Sequence, residues 1–157
     1  MKHAHVRYMD RTRQYYEAQG FEKPYAWANY EDVPFTQPKS RLSEMRLAVI
    51  TTGALYDRQQ SDPRFVDSGS IHDLPNHLFA NDLAWDKDAT HLNDLGSYLP
   101  IDVLQDLVDE GELGSIAPRF HSVPTEYSQR RTKEVDAPEV LKRCVEDGSD
   151  IALLIPL

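Results

Sequence analysis

The alternation of apolar and polar positions divides the chain into short strands and helices. Residues 46–52 form a β-branched run that ends at Gly53 and predict a first strand. Residues 115–123 predict a second strand, and the continuous apolar run at 150–157 predicts a third. A run of this last kind is typical of a buried strand in a parallel sheet.

Two stretches between these strands have helical spacing. Pro100 suits the first turn of one helix, and Pro138 suits the first turn of another. Their apolar stripes are Ile101, Leu104, Leu107 and Val108 in the first helix, and Val140, Leu141, Cys144 and Val145 in the second. The order strand, helix, strand, helix, strand predicts an α/β fold, a single domain with a mainly parallel sheet flanked by helices.

The amino-terminal part has a different pattern. Residues 6–20 predict a helix that ends at Gly20, and residues 23–40 are rich in proline and aromatic side chains. We therefore expect residues 1–45 to form a helix and a proline-broken arm that precede an α/β domain at 46–157. The rings of the arm need a surface to cover, either the core of the chain itself or a partner.

Composition narrows the classes of function. The 157 residues include 17 basic and 26 acidic side chains, a formal net charge of −9, which argues against nucleic-acid binding. No apolar stretch approaches the roughly 20 residues that span a bilayer, and the amino terminus has no signal-peptide core. The single cysteine, Cys144, excludes an internal disulfide. We expect a cytoplasmic protein that binds neither nucleic acid nor membrane.

Two groups of polar residues are candidates for a binding site. Thr51 and Thr52 precede Gly53 at the carboxyl end of the first strand, where hydroxyl and backbone N–H groups bind anions in many α/β proteins. A plain turn explains the same residues, and no dinucleotide or Walker pattern follows. Around the end of the second strand, a carboxylate could be bound by Arg119, His121, Arg130 and Arg131. A surface role for this group is equally open.

Residues 57–98 contain many possible metal ligands without a known spacing. The histidines and aspartates are His72, Asp73, His77, Asp82, Asp86, Asp88, His91 and Asp94. They match neither a zinc motif nor a calcium loop, so a solvated polar loop is favoured and no metal or cofactor is predicted. A short strand at 83–85 could lie in this stretch. Cys144 faces apolar neighbours on its helix and is interpreted as a small apolar residue.

Three segments, taken together, resemble a known family. They are Leu-Ala-Val-Ile-Thr-Thr-Gly at 47–53, Leu-Pro-Ile-Asp-Val-Leu with the following Gly-Glu-Leu-Gly-Ser-Ile-Ala-Pro-Arg at 99–119, and Asp-Gly-Ser-Asp-Ile-Ala-Leu-Leu-Ile-Pro-Leu at 147–157. In this order and spacing they are similar to the selenoprotein B family of the glycine/sarcosine/betaine and D-proline reductases. The resemblance runs from about Arg46 to Leu157.

The resemblance implies a subunit of an oxidoreductase that cleaves a substrate C–N bond with electrons from thiols. Family members carry selenocysteine or cysteine just after the strand that resembles 151–157, where a helix start favours the selenolate or thiolate. This chain has no such nucleophile. The hypothesis is that Leu157 directly precedes a UGA codon and that the α/β domain is incomplete at its carboxyl terminus. Partners would be other reductase subunits or a second copy, and the substrate a small amine or amino acid.

Under this hypothesis the chain contains no catalytic residue, and Thr51, Thr52, Arg119, His121, Arg130 and Arg131 would bind the substrate. Two other interpretations remain open. A complete, non-catalytic module that binds a partner would explain the aromatic arm and the missing nucleophile. A metal-dependent enzyme that uses residues 72–94 is the third.

Overall fold

The computed structural model describes residues 7–24, 26–34, 36–57, 63–80, 91–125 and 128–156. The chain divides into two compact units, Met1–Phe35 and Thr36–Leu157.

The first unit contains helix α1 (Tyr8–Ala18), which confirms the helix expected at 6–20. Gly20 follows it with a φ of 85°, and the N–H of Phe21 donates to the carbonyl of Tyr16 at 3.2 Å. A left-handed glycine with this return bond is a common end for a helix, since it satisfies a carbonyl of the last turn. The aromatic rings of Tyr16 and Phe21 also meet edge to face, with centroids 5.6 Å apart.

The second unit is built on a four-stranded sheet in the order β2-β3-β1-β4. Strand β1 pairs in parallel with both β3 and β4, while β2 pairs antiparallel with β3. The strands are β1 (Arg46–Thr51), β2 (Asp67–Ser70), β3 (Ser115–Ser122) and β4 (Ile151–Ile155). The α/β fold with a mainly parallel sheet is therefore confirmed. Strand β2 was not expected, because Asp-Ser-Gly-Ser has no apolar alternation.

The helices of this unit are α2 (Ile101–Asp109), the short α3 (Gln129–Arg131) and α4 (Ala137–Glu146). A π-helical turn, Thr132–Asp136, joins α3 to α4. Pro138 lies in the first turn of α4, as predicted, but the helical residues before it were not expected. Within the described ranges, no helix is long and apolar enough to cross a membrane.

Apolar side chains pack on both faces of the sheet. On one face, β1 and β3 pack with α2 and the segment before it; this core includes Leu47, Val49, Tyr98, Leu104 and Phe120. On the other face a smaller cluster joins Ala48, Ile50 and Ala117 of the sheet to Cys144 of α4. The alternation along β1 sends successive side chains to opposite faces, so this strand is buried on both.

The pairing of β1 with β3 has an irregularity. Leu47 lies opposite Ile116, but Val49 lies opposite Phe120, so β3 contains two extra residues over this interval. Pro118 falls within it and has no N–H to donate to a ladder, which is why proline inside a sheet is confined to bulges and edges. The bulge changes the register of the second half of β3, including His121.

Strand β4 corrects one expectation from the sequence. It was expected to be buried, but it lies at the sheet edge, and Ala152, Leu153 and Leu154 are exposed. Among the described residues, β4 pairs with β1 alone, and the small cluster around Cys144 of α4 contacts β1 and β3. The stripe predicted on α4 is also only partly buried: Cys144 is buried, while Leu141 and Val145 are 65% and 68% exposed.

Candidate functional site

The carboxyl ends of three parallel strands meet at one edge of the sheet, which we call the carboxyl edge. Thr51 at the end of β1 pairs with Ser122 of β3 and with Ile155 of β4. The Thr51 hydroxyl is buried and accepts the N–H of Gly53 at 3.3 Å, while the Ser122 hydroxyl donates to the Gly53 carbonyl at 2.6 Å. Both hydroxyls therefore hold the turn that follows β1.

A buried ion pair lies beside this edge. Arg64 Nη1 donates to Asp136 Oδ1 at 2.7 Å, and Arg64 Nε donates to the carbonyl of Pro124 at 2.6 Å. The two side chains are 5% and 3% exposed. The other carboxylate oxygen, Asp136 Oδ2, is buried and has no hydrogen-bond partner among the described residues. The pair is thus neutral as a unit but retains one unsatisfied acceptor.

An open groove of about 620 Å³ runs between α4 and β4, and we call it the α4–β4 groove. Its walls are mostly apolar and include Ile50, Val140, Leu141, Ala152 and Leu154. Polar residues of the carboxyl edge also line it, namely Thr51, Thr52, Thr132 and Asp136. The groove can therefore receive an apolar body.

A second polar cluster lies on the same face of the sheet, around His121. The imidazole is wholly buried, and its Nδ1 is 2.8 Å from the hydroxyl of Ser68. Arg143 Nη1 donates to the same hydroxyl at 2.7 Å. The other ring nitrogen, Nε2, is buried and has no hydrogen-bond partner among the described residues. Burial lowers the pKa of His121, an effect that the Asp147 carboxylate opposes and that the guanidinium groups of Arg119 and Arg143 reinforce. The imidazole is therefore neutral at pH 7.

Ser68, His121 and Asp147 are the residue types of a serine-hydrolase triad, but their geometry does not support that chemistry, since Ser68 meets Nδ1 and Asp147 lies towards Nε2. His121 Nε2 is 3.7 Å from Asp147 Oδ2, beyond hydrogen-bond distance. The imidazole has no exposed surface, so a substrate cannot reach it to exchange a proton. The cluster instead joins α4 to β2 and β3.

The three candidate arginines around the end of β3 lie in different places. Arg119 binds the carboxylate of Asp147 with both Nε and Nη2, at 3.0 and 2.8 Å, and this raises its pKa above the ordinary arginine value. Arg130 forms an exposed ion pair with Glu134 at 3.0 Å. Arg131 Nη2 donates to the backbone carbonyl of Arg64 at 2.9 Å.

The six predicted binding residues thus separate into groups. Thr51 and Thr52 line the groove at the carboxyl edge, and Arg131 contacts the segment that holds the buried ion pair. Arg119 and His121 lie around Asp147 at the far end of α4. Arg130 faces solvent. The structure therefore does not bring all six around one ligand position.

Cys144 packs with Ala48, Ile50 and Ala117, as interpreted from its position on the helix. Burial raises the pKa of its thiol, which disfavours the thiolate that nucleophilic chemistry needs. Among the described residues, no three His, Cys, Asp or Glu side chains come together as a metal site. Asp82, Asp86 and Asp88 of the possible ligands, and the possible strand at 83–85, lie outside the described residues.

Sequence reasoning missed Arg64 and Asp136. Asp136 precedes Ala-Pro-Glu, a pattern that predicts a surface helix cap, yet its side chain makes no capping bond and pairs with Arg64 instead. The two residues are separated by 72 positions, so no local pattern joins them. The only local signal was an arginine followed by the apolar pair Phe65 and Val66.

Comparison with known proteins found one informative similarity. The chain is 24% identical over 143 residues to the glycine reductase complex component B subunit gamma of Peptoclostridium acidaminophilum. The match covers 85% of this chain and 33% of the relative, so the chain spans about a third of that protein's length. No protein-family model and no solved structure matches the chain. These findings support a distant relationship to that family without indicating a specific member.

Proposed function

We propose that the chain is the part of a selenol- or thiol-dependent reductase subunit that precedes the redox nucleophile. The observation that carries the proposal is the similarity to the gamma subunit of glycine reductase component B, which covers 85% of the chain. In the proposed reaction the substrate C–N bond is cleaved: the carbon gains a hydrogen, the nitrogen leaves as ammonia or an amine (or stays attached as a primary amine when a ring is opened), and two thiols supply the two electrons and become a disulfide. The substrate would be a small amine or amino acid of the glycine, sarcosine, betaine or D-proline kind. Other reductase subunits would be the partners, in the cytoplasm.

The direction of the parallel strands supports this proposal. A residue that follows β4 would lie at the carboxyl edge, where Thr51 and Thr52 line the groove. If that residue began a helix, the positive helix end would favour a selenolate or thiolate. Cys144 is unsuited to the role because its thiol is buried and its pKa is raised.

Within the proposed site, we assign substrate contacts first to Thr52 and Arg131, which lie at or near the carboxyl edge. Thr51 is wholly buried and would act by holding the turn that follows β1. Arg119 and His121 would act at a distance by fixing the end of α4 through Asp147. Arg130, which is exposed and paired with Glu134, would contribute least.

The experiment that tests the proposal is to read the gene through the codon after Leu157. We expect UGA, followed by an open frame with a nearby cysteine codon. The longer product, made with selenocysteine or cysteine at that codon and combined with its neighbouring gene products, should cleave the C–N bond of one of the four substrates in a dithiol-dependent way. The products to measure are ammonia or an amine, or the ring-opened amino acid in the case of D-proline. A UAA or UAG codon with no frame beyond it would refute the proposal.

The second candidate is a complete, non-catalytic module that binds a partner. The observation that favours it is the exposed apolar surface of Leu141 and Leu154 beside the α4–β4 groove. This candidate predicts a UAA or UAG codon after Leu157 and a folded, monodisperse chain on size-exclusion chromatography. Aggregation of the purified chain through β4 would count against it.

A further inference from the structure

Strand β4 has the composition of an interior strand, although it lies at the edge of the sheet. Among the described residues its backbone is paired on one side only, with β1. Edge strands normally carry charged residues, proline or a bulge that discourages further pairing. The sequence of β4, Ile-Ala-Leu-Leu-Ile, contains no charge or proline, and its register with β1 is regular. The free side of β4 is therefore suited to pair with one more strand.

The two faces of β4 differ in how well they are covered. Ile151 packs against the core that is formed with α2. The side chain of Leu154 points to the opposite face, since it pairs in register with Ile50 of the smaller cluster around Cys144. Ala152, two residues earlier on the strand, points the same way. On this face Ala152 is exposed and Leu154 is 69% exposed, and both line the α4–β4 groove.

The crossover from β3 to β4 indicates which face the next helix would occupy. Strands β3 and β4 are both parallel to β1, so α4 connects two parallel strands. Such crossovers are right-handed in about 98% of cases, because that hand lets the helix pack back on the twisted sheet. Helix α4 lies on the face of Ile50 while the chain advances from β3 past β1 to the edge. A further crossover in the same direction has the same hand only if its helix lies on this face too.

A helix in that position would lie beside α4 and over β4, which is where the groove is. Leu141 of α4 is 65% exposed and, like Leu154, lines the groove. Exposed apolar patches mark surfaces that another element covers. A helix about 10 Å in diameter, packed about 8–10 Å from the axis of α4, would contact both leucines. The face left uncovered is thus the face that the handedness rule assigns to the next helix.

We propose that the α4–β4 groove is occupied by a helix of the same polypeptide, which follows β4 and leads to a fifth strand that pairs in parallel with its free side. Because it requires the chain to continue beyond Leu157, this inference rests on the proposed function. The match covers only 33% of the relative, so that protein is long enough for further strands and helices. The first turn of the helix then lies at the carboxyl edge, near Thr52, and its apolar stripe packs on Leu141 and Leu154.

Other occupants fit the surface less completely. A partner polypeptide would have to supply a helix for the groove and also a strand for the free side of β4. A continuation of the same chain supplies both, because β4 is already the first strand of the new unit. A second copy paired through β4 would fill the strand position only, since its α4 stays packed on its own β1 and β3 through Cys144.

The test compares the 157-residue chain with the longer product of the gene, made with serine at the codon after Leu157. Leu154→Cys or Leu141→Cys places a thiol in the groove, and its rate of alkylation is read at that residue by peptide mass spectrometry. We expect each thiol to react about a hundredfold more slowly in the longer product, because alkylation requires the helix to leave the groove. Val103→Cys, which replaces a similarly exposed side chain on α2, should react at the same rate in both proteins.

Hydrogen exchange gives a second readout that needs no substitution. The amide protons on the free side of β4 should exchange about a hundredfold more slowly in the longer product, because the fifth strand accepts them. Equal alkylation of the groove thiols in the two proteins would overturn the inference. So would protection that appears only after the neighbouring gene products are added, because a partner polypeptide would then be the occupant.

The outcomes can be told apart from those of the reductase assay. If the longer product cleaves a C–N bond while the thiol of Leu154→Cys stays reactive, the inference is wrong and the proposed function stands. If the groove thiols are protected but the longer product is inactive with its neighbouring gene products, the inference is supported and the proposed function is not. A UAA or UAG codon after Leu157 with no frame beyond it would overturn both.

Discussion

Removing one partner of the Arg64–Asp136 pair should destabilise the second unit strongly. Both side chains are almost fully buried, and the contact between Nη1 and Oδ1 is 2.7 Å. Asp136→Ala would leave the Arg64 guanidinium buried without its counter-charge, which costs about 3–5 kcal/mol in comparable pairs. For a chain of this length, about 2–4 °C of melting temperature is lost per kcal/mol, so we expect a decrease of about 6–20 °C.

The assay is thermal and urea unfolding followed by circular dichroism. A matched control is Glu134→Ala, which removes the partner of Arg130 in a pair whose side chains are 79% and 59% exposed. The control should cost at most about 0.5 kcal/mol.

The double variant Arg64→Met/Asp136→Leu should recover most of the lost stability, because a buried ion pair is often replaced by apolar side chains at little cost. Recovery should be incomplete, because Arg64 also donates to the Pro124 carbonyl. If Asp136→Ala costs no more stability than Glu134→Ala, the Arg64–Asp136 pair does not stabilise the second unit in the way its burial predicts.

Two further predictions concern His121 and Gly69. The pKa of His121 is lowered in the folded state, so the unfolded chain takes up the proton first as pH falls. Stability should therefore be complete above the unfolded value of about 6.5 and decrease below it, by at most about 1.4 kcal/mol per pH unit. In urea titrations between pH 7.5 and 5.5, His121→Asn should remove this part of the slope and the exposed His72→Asn should not; an unchanged slope in His121→Asn would contradict the assignment. A Cβ added at Gly69 would overlap the Phe120 ring, so Gly69→Ala should cost about 1–3 kcal/mol. Gly96→Ala, whose Cβ would meet a single carboxylate oxygen at 3.4 Å, should change the melting temperature much less, and equal melting temperatures would disprove the close contact.

Local pattern was enough to locate most of the regular elements. The apolar run before Gly53 became β1, the stripe after Pro100 became α2, and the terminal run became β4. The signals for these elements depend only on residues that are close in sequence. They are side-chain periodicity, proline in a first turn and glycine after a helix. The same patterns were sufficient for the α/β class, since strands that alternate with helices form a mainly parallel sheet.

Strand β2 was the element that local pattern did not locate. Asp67–Ser70 carries no apolar alternation, yet it forms β2, because it pairs with β3 and Gly69 allows the Phe120 ring to approach. The sequence does not distinguish a glycine that permits the close approach of a side chain from a glycine in a loop. Only the tertiary neighbour distinguishes them.

The tertiary structure decided which residues face solvent and which form the candidate site. The sequence of β4 is as apolar as that of β1, but β1 lies between two strands and β4 lies at the edge, so one is buried and the other leaves Leu154 exposed. Arg64 and Asp136 meet across 72 positions, and Arg119 turns to Asp147 rather than to the carboxyl edge. Periodicity reports which side of an element is apolar. What that side is packed against depends on strand order and on the register of distant segments, which only the folded chain determines.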